Sequence, residues 1–151
     1  MTLSERIEKD YISAYKAKEQ AKLNVLRLLK TAAKNLLVEL KRNHEMLDDT
    51  EMLDVILRQA KQRQDSILQF TDAGRQDLAN KEATELAILQ EYLPKALSQE
   101  ELKEVISQAI EETHAQSPKD MGKVMNYIMA TYKGRVDGKS LSDTIRKRLS
   151  N

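Results

Sequence analysis

Cysteine and tryptophan are absent from this sequence, and glycine, proline and aromatic residues are scarce. The 151 residues include four Gly, two Pro and one Phe, and aromatic residues make up 4 % of the chain. Without cysteine there is no disulfide framework, no thiolate zinc site and no cysteine nucleophile. A fold rich in β-strands would contain more β-branched, aromatic and turn residues. These absences favour a helical fold.

Long apolar segments are also missing. No apolar run approaches the roughly 18 residues that a membrane-spanning helix needs. Residues 1–10 lack the apolar stretch of a secretory signal. We therefore expect a protein without a membrane partner, and the lack of cysteine fits a cytoplasmic location.

Apolar residues recur at spacings of three and four through most of the chain, which predicts amphipathic helices. Pro94 interrupts this pattern, because proline lacks the backbone N–H that a continuing helix requires. The sequence therefore predicts an all-α fold in two domains. Residues 1–95 would form a helical domain of about four helices, and residues 96–151 would form a small three-helix bundle.

Several helix ends are marked by their residue types. Asp48 with Glu51, and Ser98 with Glu101, have the spacing of capping boxes, in which each side chain accepts from the backbone N–H of the other residue. Gly74 follows an apolar stripe, and glycine is well suited to the left-handed backbone conformation that often follows the last residue of a helix. These patterns predict helices that begin after Asp48 and Ser98 and one that ends before Gly74.

We find no catalytic or metal-binding centre in the sequence and expect no cofactor. The four glycines are scattered and form no phosphate-binding loop. His44 and His114 fall at predicted helix ends, where a solvated histidine is the simpler interpretation. Glu82, Glu85 and Glu91 are interpreted as part of a solvated helix face, since exposed helix surfaces are rich in Glu.

Charge is unevenly distributed along the chain. The net charge is +1, but residues 117–151 contain eight Lys or Arg against three Asp, a net +5. Residues 133–139 form a predicted basic loop with two glycines, which permit close approach of a ligand to the backbone. Such a group of cations suits phosphate binding. A solvated basic surface that improves solubility explains the charge equally well.

Two separated motifs resemble the signature of the YqeY family. The first reads RxxSIxxFxxAGRxDL at 63–78, followed by EYLP at 91–94. The second reads KDMGKVM at 119–125 and KGRVDGK at 133–139. The resemblance covers essentially the whole chain. One departure is the start of the last helix, Ser140-Leu141-Ser142, where the family has a more apolar sequence.

The second part of this family is similar to the tail of the B subunit of the glutamine-dependent aspartyl/glutamyl-tRNA amidotransferase. That tail is a mobile helical module that grips the outer corner of tRNA. The resemblance implies RNA contacts and, beside them, glycines where RNA approaches the backbone. The implied contacts are Lys119, Lys123, Lys133, Arg135 and Lys139, and the implied glycines are Gly122, Gly134 and Gly138.

From the charge pattern and the resemblance we expect a non-catalytic accessory protein that binds tRNA or another structured RNA. One alternative is a protein-interaction module that docks on an amidotransferase or an aminoacyl-tRNA synthetase through Arg63 and Arg75. A further alternative, implied by the family label alone, is carbon–nitrogen ligation with glutamine as amide donor. The sequence contains neither a nucleotide-binding loop nor a nucleophile–base pair for that reaction.

Overall fold

The computed structural model describes residues 1–150, which contain no β-strand, and this confirms the predicted all-α fold. The chain divides into two compact units, residues 1–93 and the part that begins at Pro94. The first unit contains four helices: α1 (Leu3–Ala17), α2 (Gln20–Glu39), α3 (Asp49–Asp72) and α4 (Gln76–Gln90). The second contains α5 (Gln99–Thr113), a short 3-10 helix (Pro118–Asp120), α6 (Met121–Thr131) and α7 (Gly138–Ser150).

Three helices begin with a complete capping box. The Asp48 carboxylate accepts from the Glu51 N–H at 2.8 Å, and Glu51 accepts in return from the Asp48 N–H at 3.0 Å. Ser98 and Glu101 form the same pair at the start of α5, so both predicted boxes are confirmed. A third box, at Thr2, starts α1. Each cap contributes about 1 kcal/mol to helix stability.

Left-handed residues end several of the helices. Gly74 has a φ of 73°, which confirms its predicted place after α3. His114 is the C-terminal cap of α5 with a φ of 56°, so it lies at a helix end as predicted. α2 ends at Glu39, and Lys41, two positions later, has a left-handed conformation with a φ of 58°. The Arg42 N–H donates to the Leu37 carbonyl at 2.8 Å, the bond that closes a Schellman motif.

The first unit has a core of apolar side chains from all four of its helices, and Leu26, Leu29 and Ile56 are completely buried. Two polar contacts fix α1 against neighbouring segments. The Ser4 hydroxyl donates to the Leu47 carbonyl at 2.7 Å, and the Tyr92 hydroxyl donates to Asp10 at 2.6 Å. Burial, together with this bond to Asp10, raises the pKa of Tyr92 well above its usual range.

The second unit has its own core, built from α5, α6 and α7. Its largest fully buried side chains are Ile106, Val124, Ile128, Leu141 and Ile145. The segment before α5 is fixed to this unit, because the Leu97 N–H donates to the Arg135 carbonyl at 2.8 Å. No helix within residues 1–150 combines the length and the apolar character needed to cross a membrane.

Candidate nucleic-acid interface

Two of the predicted RNA contacts lie where α6 begins. Lys119 is exposed in the 3-10 helix, and Lys123 is exposed in the first turn of α6. Lys123 Nζ lies 4.0 Å from Asp120 Oδ1, and the Lys123 side chain is 69 % exposed, so this ion pair is loose. The Gln116 N–H donates to Asp120, and this bond is the main reason that the pKa of Asp120 is lowered. Both lysines therefore keep their ammonium groups in solvent.

A third predicted contact, Lys139, lies in the first turn of α7. The Asp137 carboxylate accepts from the Ser140 N–H at 3.1 Å and from the Ser140 hydroxyl at 2.9 Å, which is the geometry of a helix cap. α7 consequently begins at Gly138, and the predicted loop over 133–139 is wrong in its last two residues. Ser140, where the sequence departs from the family pattern, takes part in this cap.

One contact brings the starts of α6 and α7 together. Ser142 Oγ lies 3.9 Å from Met121 Sδ, so the beginning of the second turn of α7 lies next to the first residue of α6. Lys139 is one helical turn from Ser142, and Met121 lies between Lys119 and Lys123 in the chain. The fold therefore brings Lys119, Lys123 and Lys139, here called the lysine trio, to the same end of the unit.

The predicted glycines differ in what the backbone requires of them. Gly134 has a φ of 80°, in the left-handed region that favours glycine. Gly122 and Gly138 lie in helices, and a Cβ added at either position would meet no atom within 4 Å. Of these three positions, the backbone conformation therefore favours glycine at Gly134 and not at the other two. At Gly122 and Gly138, each next to a lysine of the trio, the surface is open to an approaching ligand.

Arg135 has contacts of a different kind. Its Nε donates to the Lys95 carbonyl at 3.0 Å, and its Nη2 lies 3.9 Å from Glu101. The guanidinium also lies 5.9 Å from the centroid of the Tyr132 ring. Lys133, two residues before it, is half-buried. The Arg135 side chain is thus engaged in holding the segment before α5, unlike the exposed side chains of the trio.

The two arginines predicted to bind a partner lie in different surroundings. Arg75 is exposed and makes two hydrogen bonds to Asp77, at 3.1 and 3.2 Å, and these lower the pKa of Asp77. Arg63 is buried, with a side chain only 7 % exposed, and Nη2 lies 3.4 Å from Glu85 Oε2. Arg63 is therefore not on the surface, and the interpretation of Glu85 as solvated is wrong.

The pairing of Arg63 with Glu85 follows from the hairpin geometry of α3 and α4. Arg63 lies eleven positions before Gly74, and Glu85 lies eleven positions after it. In two antiparallel helices joined at Gly74, these residues therefore lie at the same distance from the turn and face each other across the hairpin. Sequence reasoning missed the pair, although an arginine inside an apolar stripe and the equal distances from the turn were visible signals.

The potential metal ligands of the chain are dispersed. Over residues 1–150, no three or more His, Asp or Glu side chains come together in a way that could hold a metal ion. His44 and His114 are both exposed and lie in separate units.

The fold and the surface together define an all-helical protein of two units, of which the second carries an exposed lysine group. The sequence profile of the family described as "Yqey-like protein" matches residues 4–149. The chain therefore belongs to the Yqey-like family, which confirms the resemblance seen in the two motifs.

Curated relatives come from fungi and are named "Altered inheritance of mitochondria protein 41, mitochondrial". The protein of Pyrenophora tritici-repentis is 29 % identical over 146 residues, which cover 94 % of this chain and 78 % of the relative. The protein of Candida glabrata is 27 % identical over 136 residues, covering 82 % of this chain and 75 % of the relative.

These names contradict the cytoplasmic location expected from the sequence. That expectation is wrong because it rested on the lack of cysteine and of a secretory signal, whereas the relatives are named as mitochondrial proteins. A cysteine-free composition excludes disulfides but does not distinguish one compartment without disulfides from another.

Proposed function

We propose that this protein binds tRNA, or another structured RNA, through its second unit and acts as a non-catalytic accessory protein. The observation that carries the proposal is the lysine trio at one end of that unit. Its side chains are exposed, and within residues 1–150 the ion pair found for the trio is the one between Lys123 and Asp120, at 4.0 Å. Exposed cations of this kind bind phosphates and release the counterions condensed on the nucleic acid.

The aromatic residues of the second unit favour structured RNA over single strands. Proteins that bind single strands stack bases on exposed aromatic rings. Tyr127 and Tyr132 are the aromatic residues of this unit, and both are half-buried against its core. Recognition would therefore depend on the backbone shape of a folded RNA, as it does for double-stranded RNA.

The test is the affinity for total tRNA at two salt concentrations. A triple variant, Lys119→Gln, Lys123→Gln and Lys139→Gln, is expected to bind at least about tenfold more weakly at low salt. The affinity of the variant should also depend less on salt. The slope of the logarithm of the binding constant against the logarithm of the salt concentration should become shallower by up to about 0.9 for each phosphate that the variant no longer neutralises.

The matched control changes three exposed lysines of the first unit, Lys9→Gln, Lys61→Gln and Lys81→Gln, with the same loss of charge. Unchanged affinity in this control would assign the effect to the trio. Equal weakening in both variants, or no binding of the unchanged protein at low salt, would contradict the proposal.

A second candidate function is docking on a protein such as an amidotransferase or an aminoacyl-tRNA synthetase. The turn of the α3–α4 hairpin is exposed over residues 71–77, although Ala79 in α4 is buried. Leu68 nearby in α3 is 64 % exposed, and Arg75 lies at the turn. A crosslinked protein partner that survives nuclease treatment and is lost in Leu68→Gln with Arg75→Glu would support docking.

A further inference from the structure

The first unit contains a cleft of about 390 Å³ between α1, α2 and residues 45–47. Its floor is apolar and includes the buried side chains of Ile7, Leu37, Leu47 and Met52. The polar atoms in this floor are satisfied, because the Ser4 hydroxyl donates to the Leu47 carbonyl. The cleft thus offers an apolar surface of the kind that binds the hydrocarbon part of a small molecule.

The rim of the cleft is charged, with three cations and two carboxylates among its lining residues. Both carboxylates already have a cationic partner. Lys30 Nζ lies 3.1 Å from Glu8 and 4.1 Å from the centroid of the Tyr11 ring. Glu45 is paired with Arg42, which lies outside the cleft. The negative charges of the rim are therefore compensated.

Two cations of the rim remain uncompensated. Arg27 and Lys34 are both exposed, and neither makes an ion pair or a hydrogen bond through its side chain with any residue in the range 1–150. They are seven positions apart on α2, so they lie on the same helix face with Thr31 between them. An apolar floor below two free cations is complementary to a molecule with an apolar body and an anionic head.

We propose that this cleft binds a small amphiphilic carboxylate with an aliphatic chain of medium length. Arg27 and Lys34 would hold the carboxylate, and the chain would lie on the floor formed by α1 and α2. The volume is near the lower end of the range of about 300–1,000 Å³ for small-molecule pockets, which fits a free carboxylate of this size. The site is in the other unit from the lysine trio and does not depend on RNA binding.

The experiment is calorimetric titration of the full chain with octanoate below its micelle concentration. Saturable binding at one site is expected, together with a rise in Tm, because a ligand that binds only the folded state stabilises it. Octylammonium has the same chain with the opposite charge, and acetate has the same head without the chain. Neither should bind at the concentrations at which octanoate saturates.

Two variants separate the contributions of head and chain. Arg27→Gln with Lys34→Gln should weaken octanoate binding at least about tenfold, as expected when both charged partners are removed. Lys61→Gln with Lys81→Gln removes the same charge outside the cleft and should leave affinity unchanged.

Ala33→Met places a side chain in the cleft and should reduce binding, while cooperative thermal unfolding without octanoate shows that the variant is folded. The proposal is overturned if octylammonium binds as tightly as octanoate, if the double cleft variant keeps full affinity, or if no saturable binding occurs.

Discussion

The guanidinium of Arg63 lies 3.4 Å from the carboxylate of Glu85 inside the α3–α4 hairpin, and side-chain exposures are 7 % and 13 %. Arg63 Nη1 also donates to Gln59 at 3.3 Å, whereas Nε has no hydrogen-bond partner in the described chain. The pair is therefore incompletely hydrogen-bonded. Such a buried pair adds little net stability over apolar residues, but removing one partner leaves an uncompensated charge.

Glu85→Ala is expected to lower the free energy of unfolding by about 3–5 kcal/mol, because Arg63 would stay buried without its partner. The double variant Arg63→Met with Glu85→Leu should recover most of that stability, since no buried charge remains. Urea denaturation of both variants measures the difference. If Glu85→Ala unfolds at the same urea concentration as the unchanged protein, the ion pair has no structural role.

The left-handed conformation of Gly134 predicts a position-specific cost. Gly134→Ala should lower the free energy of unfolding by about 1 kcal/mol, because a φ of 80° strains a residue with a Cβ. Gly122→Ala is the control, since this helical position is open around an added Cβ and alanine favours helix. Thermal unfolding of the two variants gives the comparison. Equal Tm values for the two would contradict the assigned conformation.

Acid should destabilise the first unit through the capping box at α3. The hydrogen bond from Arg42, followed by the backbone bond from Asp48, lowers the pKa of Glu51 from its usual 4.5. A carboxyl group with a lowered pKa in the folded state stabilises that state above its usual pKa. This contribution disappears as the pH falls through the folded-state value. Glu51→Gln should therefore show a smaller decrease in unfolding free energy than the unchanged protein between pH 7 and pH 3. Parallel pH profiles for the two proteins would show that Glu51 does not contribute.

Local sequence patterns predicted the helices well, because caps and apolar spacing act over a few residues. The boxes at Asp48 and Ser98 and the left-handed Gly74 are of this kind. The pairing of Arg63 with Glu85 required a tertiary contact between two helices. The engagement of Arg135 with Lys95 did so as well, because these residues are forty positions apart. The number of Lys and Arg residues along the sequence identified the cationic segment. It did not distinguish the exposed lysine trio from Arg135, whose side chain is hydrogen-bonded to the Lys95 carbonyl.

Because Arg135 is hydrogen-bonded within the second unit, we expect its substitution to lower the stability of that unit and to have a smaller effect on RNA affinity. Arg135→Ala removes the bond to the Lys95 carbonyl, which should lower the unfolding free energy of the second unit by about 1 kcal/mol. The Leu97 amide, which donates to the Arg135 carbonyl, should then exchange its hydrogen faster than in the unchanged protein. Lys139→Ala, which removes an exposed lysine, is the control and should leave the exchange at Leu97 unchanged. If Arg135→Ala instead weakened tRNA binding as much as the triple lysine variant, with exchange at Leu97 unaltered, Arg135 would be an RNA contact and not a residue that positions the segment before α5.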